Sequence, residues 1–189
     1  MTANEIRLFR EAAQVLLTLL RCVAMKRSLD IGANEHLNFF RLYDSCLMDV
    51  AVISWCKVLG SEREKLNWKK LFPESATNAR MELKKSLDAI TGDLDALTGE
   101  IRKYRDTYVA HHDTDETKRA LSHPSLDPLQ LIGFAIYRHI YSALADVNRA
   151  QKLPFPESIS DLSLEKIETH WREIASAAKL ATQHFSDTP

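Results

Sequence analysis

The sequence predicts an all-α fold, and three observations support that prediction. Apolar residues recur at alternating steps of three and four along nearly every long segment, which is the period of an amphipathic helix. Only five glycines and six prolines in 189 residues leave few positions for tight turns. Hydrophobic residues make up 45% of the chain, enough for a sizeable core. A helical bundle is the simplest architecture with these properties.

The first two helices carry the strongest apolar patterns. The first follows one apolar stripe and ends before Gly32. The second, over about 35–59, is apolar on two stripes, which is typical of a central helix, and Gly60 is placed as its C-terminal cap. The stripe of the first helix is Ile6, Phe9, Ala13, Leu16, Leu20 and Val23. The stripes of the second are Leu37, Phe40, Leu47, Ala51 and Val58, and Phe39, Tyr43, Cys46, Val50 and Ile53.

Three further helical segments lead to the middle of the chain. A short one at 68–72 ends at Pro73, and a third long helix covers about 74–90 before Gly92 interrupts it. A fourth helix follows this glycine and has one clear apolar stripe. That stripe contains Leu94, Leu97, Ile101, Tyr104 and Tyr108.

The second half begins with a predicted loop over the polar residues 113–125. Asp127 and Pro128 then favour a helix start, because aspartate can cap the first turn and proline suits it. This fifth helix extends to about residue 150. The side chains expected to point inward are Leu129, Ile132, Ile136, Ile140 and Val147.

Residues 151–163 contain Pro154 and Pro156 and form the clearest predicted linker. The domain organisation we expect is a helical bundle over 1–150, followed by this linker and a C-terminal helix over 151–189 that packs on the same domain. The apolar stripe of the last helix is Leu164, Ile167, Trp171, Ile174, Ala178, Ala181 and Phe185.

Composition bounds the cellular setting and the partners. The three cysteines are odd in number and include no CxxC, which favours buried thiols in a reducing cytosol over disulfides or a thiolate metal site. The first residues lack a secretory pattern, and no apolar run approaches the roughly 20 residues of a membrane span. We expect a cytoplasmic protein that contacts no membrane. A net charge of -1 excludes a general positive coat for nucleic acid but permits a local basic patch.

The run from Tyr104 to Asp113 is the strongest indication of function. Arg105 is a permanent cation that can hold phosphate oxygens with paired hydrogen bonds, and His111 or His112 can exchange protons near neutral pH. In RNA the nucleophile is the 2′-hydroxyl beside the scissile phosphate, so a protein need supply only a base, an acid and a cation. These residue types therefore predict phosphodiester cleavage without a metal ion.

The same residues resemble a known family. Arg105, the polar Asp106 that follows it and His111 are similar to the R-x(4–6)-H motif of HEPN domains. Three further stretches resemble the abortive-infection branch of that family, and the resemblance spans about residues 37–145. These stretches are Leu42-Tyr43-Asp44-Ser45, Trp55-Cys56-Lys57-Val58-Leu59-Gly60 and Trp68-Lys69-Lys70-Leu71-Phe72.

The resemblance implies a four-helix core with additional helices, and a homodimer in which two motifs face each other. It implies a metal-independent endoribonuclease that leaves a 2′,3′-cyclic phosphate, acting as a toxin or defence protein, with RNA as substrate, an antitoxin protein as partner and no cofactor. By position, Arg105 would bind the phosphate and His111 would be the acid–base residue, with Asp106 and His112 in support. The alternative is a non-catalytic HEPN module that binds a partner protein or nucleic acid, because many family members are not nucleases.

Helical geometry leaves the choice of histidine open. At about 100° per residue, Arg105 and His111 lie about 120° apart around a continuous helix, whereas Arg105 and His112 nearly coincide. Either the helix ends before the histidines, or a dimer completes the site, or His112 is the active residue. A purely structural interpretation is also open, in which His111 is a packed core histidine and Arg105 an ion-pair partner.

Two further interpretations concern neighbouring charges. Asp44 falls on an apolar stripe of the second helix, where an unpaired carboxylate is costly to bury. We expect it to pair with Arg105 or Arg102 and orient the motif, or else with Arg41 on its own helix. The run from His111 to Asp113 does not predict a metal site, since adjacent histidines point in different directions on a helix and no second ligand cluster has a recognisable spacing.

Overall fold

The computed structural model describes residues 1–29, 38–73, 77–109, 123–150 and 164–186, which are helical apart from short connections and contain no strand. The all-α prediction is therefore confirmed over these ranges. The helices are α1 (Ala3–Leu29), α2 (Asn38–Trp55), α3 (Trp68–Leu71), α4 (Thr77–Thr91), α5 (Leu94–Tyr104), α6 (Leu126–Ala150) and α7 (Leu164–Ser186). Two π-helical turns extend α2 and α5: the Cys56 turn (Cys56–Gly60) and the Arg105 turn (Arg105–Val109).

The central helix is α1, so the prediction that α2 is central was wrong. α1 packs against α2, α6 and α7 and also contacts the Cys56 turn and α3. It can do so because its buried residues extend beyond the predicted stripe to a second side of the helix. The buried set is Phe9, Ala12, Leu16, Leu19, Leu20, Cys22, Val23, Ala24 and Leu29.

The two apolar stripes of α2 have different environments. Phe40, Leu47, Ala51 and Val58 are buried as predicted, and Leu37 lies outside the described residues. The second stripe was wrongly predicted to be inward, because Phe39, Val50 and Ile53 are exposed and Tyr43 is only half-buried. Cys46 on that stripe is exposed as well, whereas Cys22 and Cys56 are the buried thiols that the sequence predicts.

Two glycines end helices in different ways. Gly92 follows α4 with a φ of 67°, the left-handed conformation that glycine adopts without strain. Gly60 was predicted as a cap of this kind, but the chain leaves the Cys56 turn through Ser61 in an extended conformation. Gly60 is required instead by close packing, because a Cβ there would lie 3.1 Å from the Cβ of Cys56.

The last two helices pack on α1. α6 begins at Leu126, close to the predicted start at Asp127, and buries Leu129, Ile132, Ile136 and Ile140, while Val147 is half-buried. α7 contacts α1, and its register differs from the prediction, since Ile174 is exposed and Ala175 is buried. The predicted loop over 113–125 lies outside the described residues up to 122, and the linker over 151–163 lies outside them entirely. Among the described helices, none is long and apolar enough to cross a membrane.

Candidate functional site

The Arg105 turn begins where a regular helix gives way to wider winding. α5 starts at Asp93, whose side chain accepts the backbone N–H of Ala96 at 2.9 Å, a standard N-cap. The helix continues to Tyr104, and hydrogen bonds of the i→i+5 kind follow over Arg105–Val109. Such π-turns are uncommon and frequently mark functional sites. The turn therefore carries the first half of the predicted motif on distorted backbone.

Arg105 is held by the residue that follows it. Its Nε donates to Oδ1 of Asp106 at 2.8 Å, and its Nη2 lies 2.6 Å from the same oxygen. The Arg105 side chain is 27% exposed, whereas that of Asp106 is about half exposed. The structure thus brings together two of the predicted site residues. It also matches one part of the structural interpretation, in which Arg105 is an ion-pair partner.

Arg105 also forms a hydrogen bond with the thiol of Cys56. Burial raises the pKa of Cys56, and the Arg105 charge and hydrogen bond partly offset that shift. Burial lowers the pKa of Arg105, but its hydrogen bond to Asp106 and the nearby Cys56 and Asp106 outweigh this effect, so the pKa is raised. The guanidinium therefore stays charged, with a buried thiol on one side and an exposed carboxylate on the other.

This contact joins the two π-turns at their first residues. Cys56 opens one turn and Arg105 opens the other, and these residues are far apart in the sequence. α5 packs against the Cys56 turn, and the Arg105 turn packs against α2. The long-range packing of these two distorted segments sets the depth of Arg105 in the surface. No local pattern in the sequence predicts this packing.

The predicted acid–base residues His111 and His112, together with Asp113, lie outside the described residues. The π-turn nevertheless bears on the choice between the two histidines. The preference for His112 assumed a rotation of 100° per residue from Arg105 onward. Over Arg105–Val109 the backbone has i→i+5 hydrogen bonds, and this wider winding rotates less per residue. The geometric argument for His112 therefore no longer holds.

Asp44 does not orient the motif by pairing with Arg105 or Arg102. Its Oδ2 lies 2.5 Å from Nζ of Lys26 on α1, and both side chains are largely buried. A lysine on the adjacent helix thus neutralises the carboxylate on the apolar stripe of α2. Sequence reasoning missed this partner because Lys26 was not part of any motif.

Arg102 lines a small cleft one turn before Arg105. The cleft has a volume of about 310 Å³ and lies between α5 and the segment after the Cys56 turn. Its charged lining consists of Lys69 and Arg102 together with Glu62 and Asp95, so cations and carboxylates balance. A larger groove of about 750 Å³ lies between α1 and residues 57–66 and contains none of the predicted site residues. Neither cavity adds an obvious anion site to Arg105.

A second cluster beside the motif was not predicted. Tyr104 is buried, and its hydroxyl lies 2.9 Å from Nδ1 of His123, the first residue of the described range 123–150. Burial, with the nearby Asp49, Tyr108 and Asp44, raises the pKa of Tyr104 to about 12. Its ring also stacks on Tyr108 at 5.2 Å. His123 was not singled out from the sequence, where its only signal is its place within the polar residues 113–125.

Asp49 of α2 belongs to the same cluster. Burial raises the pKa of its carboxyl, and the charges of His123 and Lys26 act in the opposite direction. The end of α5 and the segment before α6 are therefore connected through Tyr104 and His123, with the carboxyl of Asp49 nearby. This arrangement places a third histidine close to the motif, in addition to His111 and His112.

Comparison with known proteins adds no relative. The chain matches no protein-family model, no curated protein and no solved structure. The HEPN relationship therefore stays a prediction carried by Arg105, Asp106, His111 and the tryptophan-containing stretches of α2 and α3. The contacts described above stand independently of it.

Proposed function

We propose that this chain is a HEPN-type, metal-independent endoribonuclease that acts in the cytoplasm as a toxin or defence protein. Two copies would contribute to one composite site. The observation that carries the proposal is the position of Arg105, whose guanidinium is held at the surface between Asp106 and Cys56 on a π-turn, six residues before His111. A cation held in place and followed in the sequence by two histidines supplies the groups needed to cleave an RNA phosphodiester, whose own 2′-hydroxyl is the nucleophile.

In this mechanism the 2′-oxygen attacks the adjacent phosphorus, and the bond from phosphorus to the 5′-oxygen breaks. The products are a 2′,3′-cyclic phosphate and a free 5′-hydroxyl. One histidine accepts the proton of the 2′-hydroxyl, and an acid protonates the departing 5′-oxygen. Arg105 holds the phosphate and offsets the charge that grows on its oxygens. Asp106 aligns the guanidinium before RNA binds.

RNA cleavage in the presence of EDTA tests this proposal. The full-length chain should release 2′,3′-cyclic phosphate ends, and Arg105→Ala should abolish the release. Replacing the acid–base histidine by alanine should slow cleavage by about 10²–10⁴-fold, and comparing His111→Ala with His112→Ala identifies it. Arg149→Ala is the matched control, because Arg149 also pairs with a nearby aspartate, Asp146, but lies on α6.

Circular dichroism and light scattering must show that each variant is folded and has the wild-type mass. Full activity in folded Arg105→Ala would refute the proposed role of the arginine. A pure, folded dimer that cleaves no RNA from a broad panel would refute the enzymatic proposal.

The Arg105–Asp106 pair also favours a second candidate, the non-catalytic module. Because the carboxylate already engages two guanidinium nitrogens, the cation is partly neutralised. A module of this kind would bind RNA or a partner protein without turnover. RNA that is retained and recovered intact, with binding lost in Arg105→Ala, would identify it.

A further inference from the structure

The exposed face of α2 carries a regular apolar stripe. Its members are Phe39, Leu42, Cys46, Val50 and Ile53, and all five are exposed. At 100° per residue they fall within a sector about 80° wide, so they form one continuous line along the helix. The opposite side of α2 packs on α1, and four of the large exposed hydrophobic residues found in the described ranges lie on this one face. We call this line the α2 seam.

The spacing of the α2 seam is symmetric about its centre. Successive members are separated by three, four, four and three residues, with Cys46 in the middle. An antiparallel copy of the same helix would therefore place Phe39 beside Ile53 and Leu42 beside Val50, while Cys46 meets its own counterpart. Self-matching of this kind is what a two-fold interface requires, because each surface contacts an identical one. Steps of three and four are also those of a packed helix pair.

Charge favours the same arrangement. Asp49 borders the α2 seam three residues after Cys46, and Tyr43 borders it three residues before. In an antiparallel pair Asp49 lies at the level of Tyr43 of the second copy, an uncharged residue whose hydroxyl donates to Sδ of Met25 in its own chain. A parallel pair would set the two Asp49 carboxylates at one level, whereas the antiparallel pair offsets them by six residues, about 9 Å along the axis. Like charges placed opposite each other are unfavourable.

From this geometry we infer that the α2 seam is the surface on which two copies of this chain associate, antiparallel, with a two-fold axis at Cys46. The inference deepens the proposed homodimer and rests on that part of the proposed function. The Arg105 turn packs against α2, so each motif lies beside the interface. The Tyr104–His123 cluster lies beside Asp49, close to the proposed axis.

Cross-linking of the native chain tests the centre of the interface. Cys46 is the exposed cysteine, whereas Cys22 and Cys56 are buried. A short bismaleimide should convert the wild-type chain to a covalent dimer. Cys46→Ser should lose the cross-link but keep the dimer mass in light scattering. A dimer whose Cys46 reacts with maleimide without cross-linking would overturn the inference.

A charged substitution in the α2 seam tests the role of this surface in association. Leu42→Glu should give a folded monomer, because Leu42 is 66% exposed within one chain and its replacement leaves the core intact. Leu180→Glu on α7 is the matched control, since this leucine is 61% exposed and lies off the seam, and it should remain a dimer. Equal masses for both variants would overturn the inference. So would a wild-type monomer, whether its Cys46 reacts freely or is shielded by another part of the chain.

Engineered disulfides test the orientation. In a Cys46→Ser background, Leu42→Cys and Val50→Cys chains should form a disulfide when mixed but not alone, because the Cα atoms of a disulfide must lie within about 7 Å. Disulfides within each separate variant would show a parallel pair and overturn the antiparallel assignment. None of these measurements involves RNA. A cross-linked dimer that fails to cleave RNA therefore refutes the proposed activity but not the interface. An active enzyme whose Cys46 residues cannot be cross-linked refutes the interface but not the activity.

Discussion

At the scale of single residues, Arg105 has two hydrogen-bonded neighbours. The buried Cys56 thiol lies next to the guanidinium and forms a hydrogen bond with it. Asp106 engages Nε and Nη2 of the guanidinium, which a phosphate could otherwise use. A phosphate can bind either by displacing Asp106 or by using the remaining N–H groups. The pair is only partly buried, so its strength is that of a surface ion pair, about 0.2–1 kcal/mol.

Replacing Asp106 by asparagine should therefore strengthen RNA binding. The amide oxygen can still accept from Arg105, but the negative charge that competes with phosphate is gone. From the strength of the pair we expect an affinity gain of up to roughly five-fold. Each added contact with a phosphate of single-stranded RNA should also make the slope of log K against log salt concentration more negative by about 0.7. Binding should be measured by fluorescence anisotropy over a range of salt, in a His111→Ala background that limits cleavage.

Asp146→Asn serves as the matched control for this prediction, because Asp146 pairs with an exposed arginine on α6 in the same way. Its affinity should equal that of the parent chain. Weaker binding by Asp106→Asn would mean that the carboxylate is needed to hold Arg105 in place, and would contradict the competition described here.

At the scale of elements, α1 and α6 pack closely at a glycine, Gly133 on α6. A Cβ at Gly133 would lie 2.6 Å from Cδ2 of Leu19, whose side chain is fully buried. A side chain at Gly133 would therefore require Leu19 to shift within the core. Gly99 on α5 offers a contrast, since a Cβ there would meet nothing within 4 Å.

Alanine at these two positions should change stability in opposite directions. Gly133→Ala should lower the free energy of unfolding by about 1–2 kcal/mol, because overpacking of about 1–3 kcal/mol exceeds the gain in helix propensity. Gly99→Ala should raise it by about 0.5–1 kcal/mol, since only the propensity term applies. Urea unfolding followed by circular dichroism measures both. A stabilised Gly133→Ala chain would show that α1 and α6 can separate at little cost.

Local periodicity predicted the elements well and their partners less well. α6 begins at Leu126, one residue before the start predicted from Asp127 and Pro128, because such signals act within a few residues. The central position of α1 and the exposure of the α2 seam do not follow, because periodicity marks a side as apolar without showing what covers it. The same limit applies to the site. Arg105 and Asp106 were predicted from a motif, but the Cys56 contact and His123 depend on packing between distant segments.

At the scale of the whole molecule, one side-chain network joins the end of α1 to the helices of the second half. Arg27 contacts Asp127 and Gln130 at the start of α6, and its Nη1 lies 3.3 Å from Glu168 on α7. Gln130 is buried, and its Nε2 donates to the same Glu168 carboxylate at 2.7 Å. Both ends of the glutamine amide are therefore satisfied by charged groups from two other helices. This network, together with Arg21 over the Trp171 ring, connects α7 to the rest of the fold.

Removing Arg27 should therefore loosen α7 as well as destabilise the chain. In Arg27→Met the oxygen of Gln130 loses its donor while buried, which costs about 1–3 kcal/mol of unfolding free energy. Arg7→Met is the matched control, because Arg7 forms an exposed pair with Glu11 and its loss should change stability by less than about 0.5 kcal/mol. Adding Gln130→Leu to Arg27→Met should cost less than the sum of the single changes, since the unsatisfied group is then gone. Hydrogen exchange should show the loss of protection concentrated in α7, and uniform loss across all helices would instead show that α7 unfolds only together with α1 and α6.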